Sequence, residues 1–262
     1  MRSDPLLHLL DHQIISERYF FPRSGDPRTA VDFVGTDGVQ IRCSKSTPRK
    51  NAKTLVHFHG NGEIVADYDD GYLESLADLG VNVLMVEYRG YGGSQGQPQL
   101  GKMLADVALI REQCGLSSSE TILYGRSVGA IFAVEWARLD PNIAGLILES
   151  GVADPYQRLV IRLEAQELNT DTETLKRACD AYLNHKTKLA EYRNPLLVLH
   201  AANDTLVTPD HAQAHMDYCP SDQKKLVLFP RGNHNTIIGA NWAEYLAEIQ
   251  AFIASTDPPT DR

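Results

Sequence analysis

Cysteine is scarce in this chain, and the few that occur stand apart. Cys43, Cys114, Cys179 and Cys219 form no C-x-x-C pair, which excludes a zinc knuckle and a thioredoxin-type redox motif. Four scattered thiols are expected to be reduced core residues of a cytoplasmic protein rather than halves of disulfides. Positive charge is also short. The 25 Lys and Arg against 34 Asp and Glu leave a formal net charge of -9, so nothing electrostatic favours nucleic acid or an anionic membrane surface. Long apolar runs are missing too: the opening MRSDPLLHLLDHQ breaks its leucines with Asp4, Pro5, His8 and Asp11, unlike a signal peptide. No later run has the length to span a bilayer, so stable membrane insertion is not expected.

What is present is a rhythm. With 262 residues, 43% of them hydrophobic, the chain suits one domain over residues 1–262 with a substantial core. Asp37-Gly38 between two strand-like stretches predicts an antiparallel pair at the start. After the polar connector STPRKNAK come six apolar runs: TLVHFHG, VNVLMVEY, TILYG, AGLILES, PLLVLHA and KKLVLFP. Helical stretches fall between them, at about 63–79, 100–114 and 128–139, and the sequence ends on NWAEYLAEIQAFI. Apolar strands alternating with helices predict an α/β fold with a mostly parallel sheet covered on both faces. Residues 151–194 interrupt the rhythm with charged, helical sequence longer than one crossover needs; we read them as a short helical lid over the carboxyl ends of the strands, or else as a crossover with a surface insert.

Two serines match G-x-S-x-G: Ser94 in GGSQG and Ser127 in GRSVG. The motif is short enough to arise by chance, so context decides. Ligands of parallel α/β sheets gather beyond the carboxyl ends of the strands. Ser94 is followed by QGQPQ, which starts no helix, and is read as loop structure. Ser127 sits between the strand TILYG and the helix of VGAIFAVEWARL. So sharp a strand-to-helix turn leaves room only for small neighbours, which accounts for Gly125 and Gly129 and lifts the hydroxyl into a cleft. The alternative is that Ser127 merely caps the helix.

A serine hydroxyl needs a base. Among nine histidines, His234 in the loop FPRGNHNTI after the last strand is best placed. His57 and His200 lie within strands and read as satisfied core residues. An imidazole base needs a carboxylate behind it; Asp204, at the end of PLLVLHA, is the candidate, with Glu149 and Asp154 as competitors. Two N–H groups are expected to face a developing oxyanion: that of Val128 and that of Asn61 in HGNGE, with Gly62 in reserve. The order Ser127, Asp204, His234 is the order of the α/β-hydrolase fold.

Taken together, HGNGE, VEYRGYGGSQGQP, YGRSVGA and NDTLVTP resemble the α/β-hydrolase superfamily across essentially the whole chain. They look like the branch holding bacterial serine hydrolases of unassigned substrate and cytosolic protein depalmitoylases of animals. The resemblance implies Ser127 as nucleophile, Asp204 as acid, His234 as base and Asn61 with Val128 as oxyanion donors. It also implies a small-molecule acyl substrate, ester or thioester, and no cofactor or metal. Those depalmitoylases reach membranes through an acylated, cysteine-rich amino terminus, whereas no cysteine here precedes Cys43. Leu159, Val160, Ile161 and Leu163 are the apolar surface expected of the lid. Peptide cleavage of the prolyl-aminopeptidase type, and a non-catalytic binding protein on the same fold, are the rival readings. A metal hydrolase fits less well, because His57-x-His59 has no following aspartate and HAQAH lacks the glutamate of H-E-x-x-H.

Overall fold

The computed structural model describes residues 4–46 and 49–257. Residues 1–3 of the amino-terminal segment and Thr47 and Pro48 of the polar connector lie outside it. Eight strands make one sheet: β1 (Ala30–Val34), β2 (Gln40–Lys45), β3 (Thr54–Phe58), β4 (Asn82–Val86), β5 (Thr121–Arg126), β6 (Gly145–Glu149), β7 (Leu196–Ala201) and β8 (Lys224–Phe229). Their order is β1-β2-β4-β3-β5-β6-β7-β8. β1 pairs antiparallel with β2, and β2 with β4, while every pairing from β4 to β8 is parallel. The opening turn forms where Asp37-Gly38 predicts it, with φ of 62° and 75° at those two residues.

Alternate residues of the parallel strands enter two cores, as a period of two requires. Val56, Leu84, Leu123 and Leu148 face one core, and Leu55, Val83, Ile122 and Ile147 the other. The first core is covered by α1 (Pro5–Leu9), α2 (Gln13–Tyr19), α4 (Leu100–Gln113), α5 (Gly129–Leu139) and the helices of the insert; the second by α3 (Tyr72–Asp78) and α11 (Trp242–Ser255), with the short α10 (Ile237–Ala240) before it. α9 (Pro209–Tyr218) links β7 to β8. All four cysteines are free thiols, three of them buried.

Three expectations need correction here. The single helix expected over 63–79 is a 3-10 turn (Val65–Tyr68) followed by α3, because Gly71 takes a left-handed φ of 93° and Glu63 turns inward. The last strand is not covered on both faces. β8 is the sheet edge, with Lys224 and Lys225 exposed and Leu228 48% exposed; edge lysines discourage pairing with other chains. Within the insert, only α6 (Pro155–Val160) and the turn after it reach the carboxyl ends of the strands; α7 (Thr172–Tyr182) packs on α1, and α8 (His185–Leu189) on α5 and α9.

Candidate active site

Strand order reverses at β3. From there the chain crosses to β4 on one side and then returns to β5 on the other, and the crevice between the ends of such strands is where open α/β sheets bind ligands. The turns after β3 and β5 carry HGNGE and GRSVG. Ser127 has φ of 53°, a left-handed conformation that costs a non-glycine residue roughly 1–3 kcal/mol. Surrounding bonds hold it there: its N–H donates to the Glu149 carbonyl at 2.8 Å, and its carbonyl accepts from Ala130 and Val152 at 3.2 Å each. A Cβ on Gly129 would lie 2.2 Å from the Phe58 carbonyl oxygen, and one on Gly125 2.7 Å from Ala130 Cα. Both glycines are therefore dictated by close backbone approach.

The expected residues meet in one row. His234 Nε2 lies 2.9 Å from Ser127 Oγ, and His234 Nδ1 lies 2.7 Å from Asp204 Oδ2. A carboxylate only accepts, so Nδ1 carries the proton and Nε2 is left to accept from the serine hydroxyl. Asp204 is buried, and its other oxygen accepts from the N–H groups of Leu206 and Val207 at 2.9 Å each. Burial acts to raise its pKa, but the bonds from His234, Val207 and Leu206 outweigh it and hold the carboxyl below its ordinary range.

The competing carboxylates have other partners. Glu149 is fully buried and accepts from Arg126 at 2.7 Å, Tyr124 at 2.5 Å and Tyr245 at 2.8 Å. Asp154 caps α6 by accepting from the Gln157 N–H at 3.0 Å. Ser94, the other motif serine, accepts from the Arg42 N–H at 2.9 Å and so ties its loop to β2.

The Asn61 side chain is pinned on both ends: its oxygen accepts from the Phe21 N–H at 3.1 Å and the Tyr91 hydroxyl at 2.8 Å, and its amide donates to the Tyr19 carbonyl. Among the described residues, neither the Asn61 nor the Val128 N–H donates a hydrogen bond. Both residues border the cavity that holds Ser127 and His234, whereas Gly62 does not.

Below these loops lies a charge cluster that sequence reasoning missed. Arg126 donates to Glu63 at 2.8 Å, to Glu149, and to the His234 carbonyl at 3.2 Å. Glu63 also accepts from the Gly60 N–H at 2.6 Å and from Tyr68. Burial alone would raise the Glu63 carboxyl, yet Arg126 and these donors bring it down to about 2. His59, buried beside it, meets two acceptors, Glu87 at 2.6 Å and the Gly60 carbonyl at 2.8 Å. Two acceptors require two N–H groups, so the ring is an imidazolium; against the opposing pull of burial, Glu87 raises its pKa. Nothing in the spacing of these residues announced the cluster except the charged Arg126 inside an otherwise apolar strand.

Strand histidines depart from expectation. His57 stacks on Tyr124 at 4.4 Å, but neither ring nitrogen has a hydrogen-bond partner among the described residues, and burial lowers its pKa to about 3. His200 is half satisfied, with Nε2 donating to the Val207 carbonyl at 2.8 Å and Nδ1 unpartnered.

The cavity measures about 190 Å³, small against the roughly 300–1,000 Å³ of pockets for drug-sized ligands. Of the apolar insert residues expected to line it, only Leu159 does. Val160 and Ile161 point to solvent at 42% and 65% exposure, and Leu163 is buried elsewhere. The opposite wall is Ile15, Tyr19, Phe20 and Phe21 of the amino-terminal segment, a contribution the sequence signalled only by the aromatic run YFF. The two walls are joined: the Tyr19 hydroxyl donates to the Leu159 carbonyl and accepts from the Arg162 N–H.

The family model described as "Serine aminopeptidase, S33" (Hydrolase_4) matches residues 49–176 and 167–240. In sequence the chain is similar to alpha/beta hydrolase domain-containing protein aho-3 of Caenorhabditis elegans, 26% identical over 220 residues, covering 82% of this chain and 61% of that protein. It thus spans about three fifths of the worm relative. The human alpha/beta hydrolase domain-containing protein 17B is 24% identical over 252 residues, covering 92% of this chain and 81% of that one. Mouse alpha/beta hydrolase domain-containing protein 10 superposes with a TM-score of 0.68 at 17% identity, over 87% of this chain and all of its own. An esterase of Pyrococcus furiosus does so with 0.68 at 19% identity, over 87% and 91%. The chain has the α/β-hydrolase fold, and it belongs to the Hydrolase_4 family.

Proposed function

We propose that the protein is a serine hydrolase that cleaves carboxylic esters or thioesters through an acyl-enzyme on Ser127. One observation carries this reading: a single imidazole, His234, stands between Ser127 Oγ and Asp204 on the wall of an open cavity. Oγ attacks the carbonyl carbon as its proton passes to His234 Nε2, and Asp204 stabilises the imidazolium. The carbonyl oxygen gains negative charge and turns to the N–H groups of Asn61 and Val128, each such donor lowering the barrier by roughly 3 kcal/mol. The bond to the leaving oxygen or sulfur then breaks as Nε2 returns the proton to it. Water repeats the sequence, giving its proton to Nε2, attacking the acyl carbon and releasing the acid while Ser127 regains its hydrogen. This scheme needs no metal or organic cofactor. The small cavity suits short acyl groups, and residues 151–162 with the amino-terminal wall would serve as its lid.

A second reading, aminopeptidase, is favoured by the description of the matching family model. Such an enzyme must hold a free ammonium. Among the described residues, Glu63 is the lone carboxylate bordering the cavity, and it is already held by Arg126, the Gly60 N–H and Tyr68. That arrangement supports the esterase reading.

The test is labelling by a fluorophosphonate probe, followed by p-nitrophenyl esters and thioesters of increasing chain length beside aminoacyl-arylamides. Wild type is expected to label and to hydrolyse short esters, and Ser127→Ala to do neither, with turnover down by at least about 10³-fold. Equal labelling of both proteins overturns the assignment. Faster turnover of arylamides transfers it to the peptidase, and retained ligand binding with no turnover to a non-catalytic binder.

A further inference from the structure

Most arginines near the cavity face a carboxylate: Arg18 pairs with Glu167 at 2.6 Å, Arg23 with Asp67 at 2.6 Å, and Arg126 with Glu63 and Glu149. Arg158 and Arg162 do not. Both border the cavity, four residues apart, on α6 and the turn that ends it. Among the described residues, no carboxylate lies within the 4.0 Å of an ion pair from either. The acid nearest in sequence to Arg158, Asp154, spends an oxygen on capping the helix. Arg162 is nonetheless held in place. Its Nη1 donates to the Arg18 carbonyl at 3.1 Å, and its guanidinium lies 5.8 Å from the Tyr19 ring centre and 5.9 Å from that of Phe21.

Two uncompensated cations at one cavity, with Arg162 held by its contacts to Arg18, Tyr19 and Phe21, stand out in a chain of net charge -9. A planar guanidinium presents paired N–H groups that match the oxygens of a carboxylate or phosphate. Glu63, the one acid on the cavity lining among the described residues, is ion-paired to Arg126 and to neither of these two arginines.

We propose that Arg158 and Arg162 form an anion-binding subsite, and that the substrate is an ester or thioester bearing a carboxylate or phosphate some bonds away from the reacting carbonyl. The proposal rests on the reading of Ser127 as nucleophile. The anion belongs either to the acyl chain or to the leaving group, and the test separates the two. One arm compares p-nitrophenyl hemiglutarate with p-nitrophenyl butyrate. The other compares 4-carboxyphenyl butyrate with its neutral methyl ester. Each pair is run at low and high salt on wild type, Arg158→Gln, Arg158→Lys and Arg162→Gln.

In one arm the anionic ester is expected to show a kcat/KM at least tenfold above its neutral partner, through KM, with the advantage shrinking as salt screens it. Both glutamine variants should lose most of that advantage, with kcat/KM falling far more for the anionic ester than for its neutral partner, and Arg158→Lys should retain part. No preference in either arm, or a preference unchanged in both glutamine variants, overturns the subsite. Turnover of the neutral esters reports on Ser127 separately. Should no ester turn over, calorimetry on Ser127→Ala decides: hemiglutarate binding at least tenfold tighter than its methyl ester, and lost on adding Arg158→Gln, upholds the subsite, and equal affinities overturn it.

Discussion

Replacing Glu63 by glutamine is expected to destabilise the protein in a manner that fades with acid. In the folded chain its carboxylate receives the Arg126 guanidinium at 2.8 Å and the Gly60 N–H at 2.6 Å, together with the Tyr68 hydroxyl. A glutamine of the same shape keeps one acceptor oxygen but aims an NH2 group at donors and leaves Arg126 with Glu149 as its one carboxylate among the described residues. The carboxyl is held at about 2 instead of its ordinary 4.5, and each factor of ten in that difference is worth about 1.4 kcal/mol. Because the folded state binds the proton less readily than the unfolded chain, the contribution is complete above pH 4.5, roughly 3 kcal/mol. It falls to about 2 kcal/mol near pH 3.5 and vanishes as pH drops through 2. Urea unfolding of wild type and Glu63→Gln at pH 7, 5, 4 and 3.5, read as the difference in midpoint at constant slope, measures it. A gap that is absent at pH 7, or that stays constant down to pH 3.5, refutes the reasoning.

His57→Phe should behave in the opposite sense. The buried ring is neutral with a pKa near 3, so the unfolded chain takes up a proton first as pH falls below 6.5, and wild type loses stability from there toward 3. The phenylalanine variant, which also removes two unpartnered nitrogens, should match or exceed wild type in Tm at pH 7 and pull further ahead at pH 5; a constant difference contradicts this. Gly129→Ala places a methyl 2.2 Å from the Phe58 carbonyl oxygen and 2.7 Å from that of His59. It should cost about 1–3 kcal/mol, read as a lowered urea midpoint, and an unchanged midpoint would show that α5 can shift freely from β3.

Local features of the sequence carried a good part of the fold. Six apolar runs became the six parallel strands, five of them because a strand buried on both faces has little choice of residue, while the edge strand β8 kept its apolar run with one face open. The neighbours Ser127, Asp204 and His234 were legible because each ends a strand run on a turn, and turns beyond parallel strands lie on one side of the sheet. Features depending on contact between remote segments were not. Tyr19 meets Leu159 across 140 residues, and Arg126 joins Glu63 of the loop after β3 to Glu149 of β6. No periodicity encodes such meetings. The broken helix before α3 was missed because the apolar pattern continues through Asp69-Asp70-Gly71 while the backbone reverses hand at the glycine. His57 was misjudged for a different reason: burial on a central strand was readable, but the lack of a partner depends on which side chains happen to surround it.

The cavity's two side walls, near Tyr19 and near Leu159, are built from stretches that supply no strand to the sheet, whereas the serine turn is held to it by the Ser127 N–H bond to the Glu149 carbonyl and by the close backbone approach at Gly129. Under the proposed function, selectivity and reactivity therefore reside on separable pieces of polypeptide. Residues 15–21 and 155–162 can diverge among descendants of this chain, reshaping what is admitted, while the elbow that receives it stays unaltered.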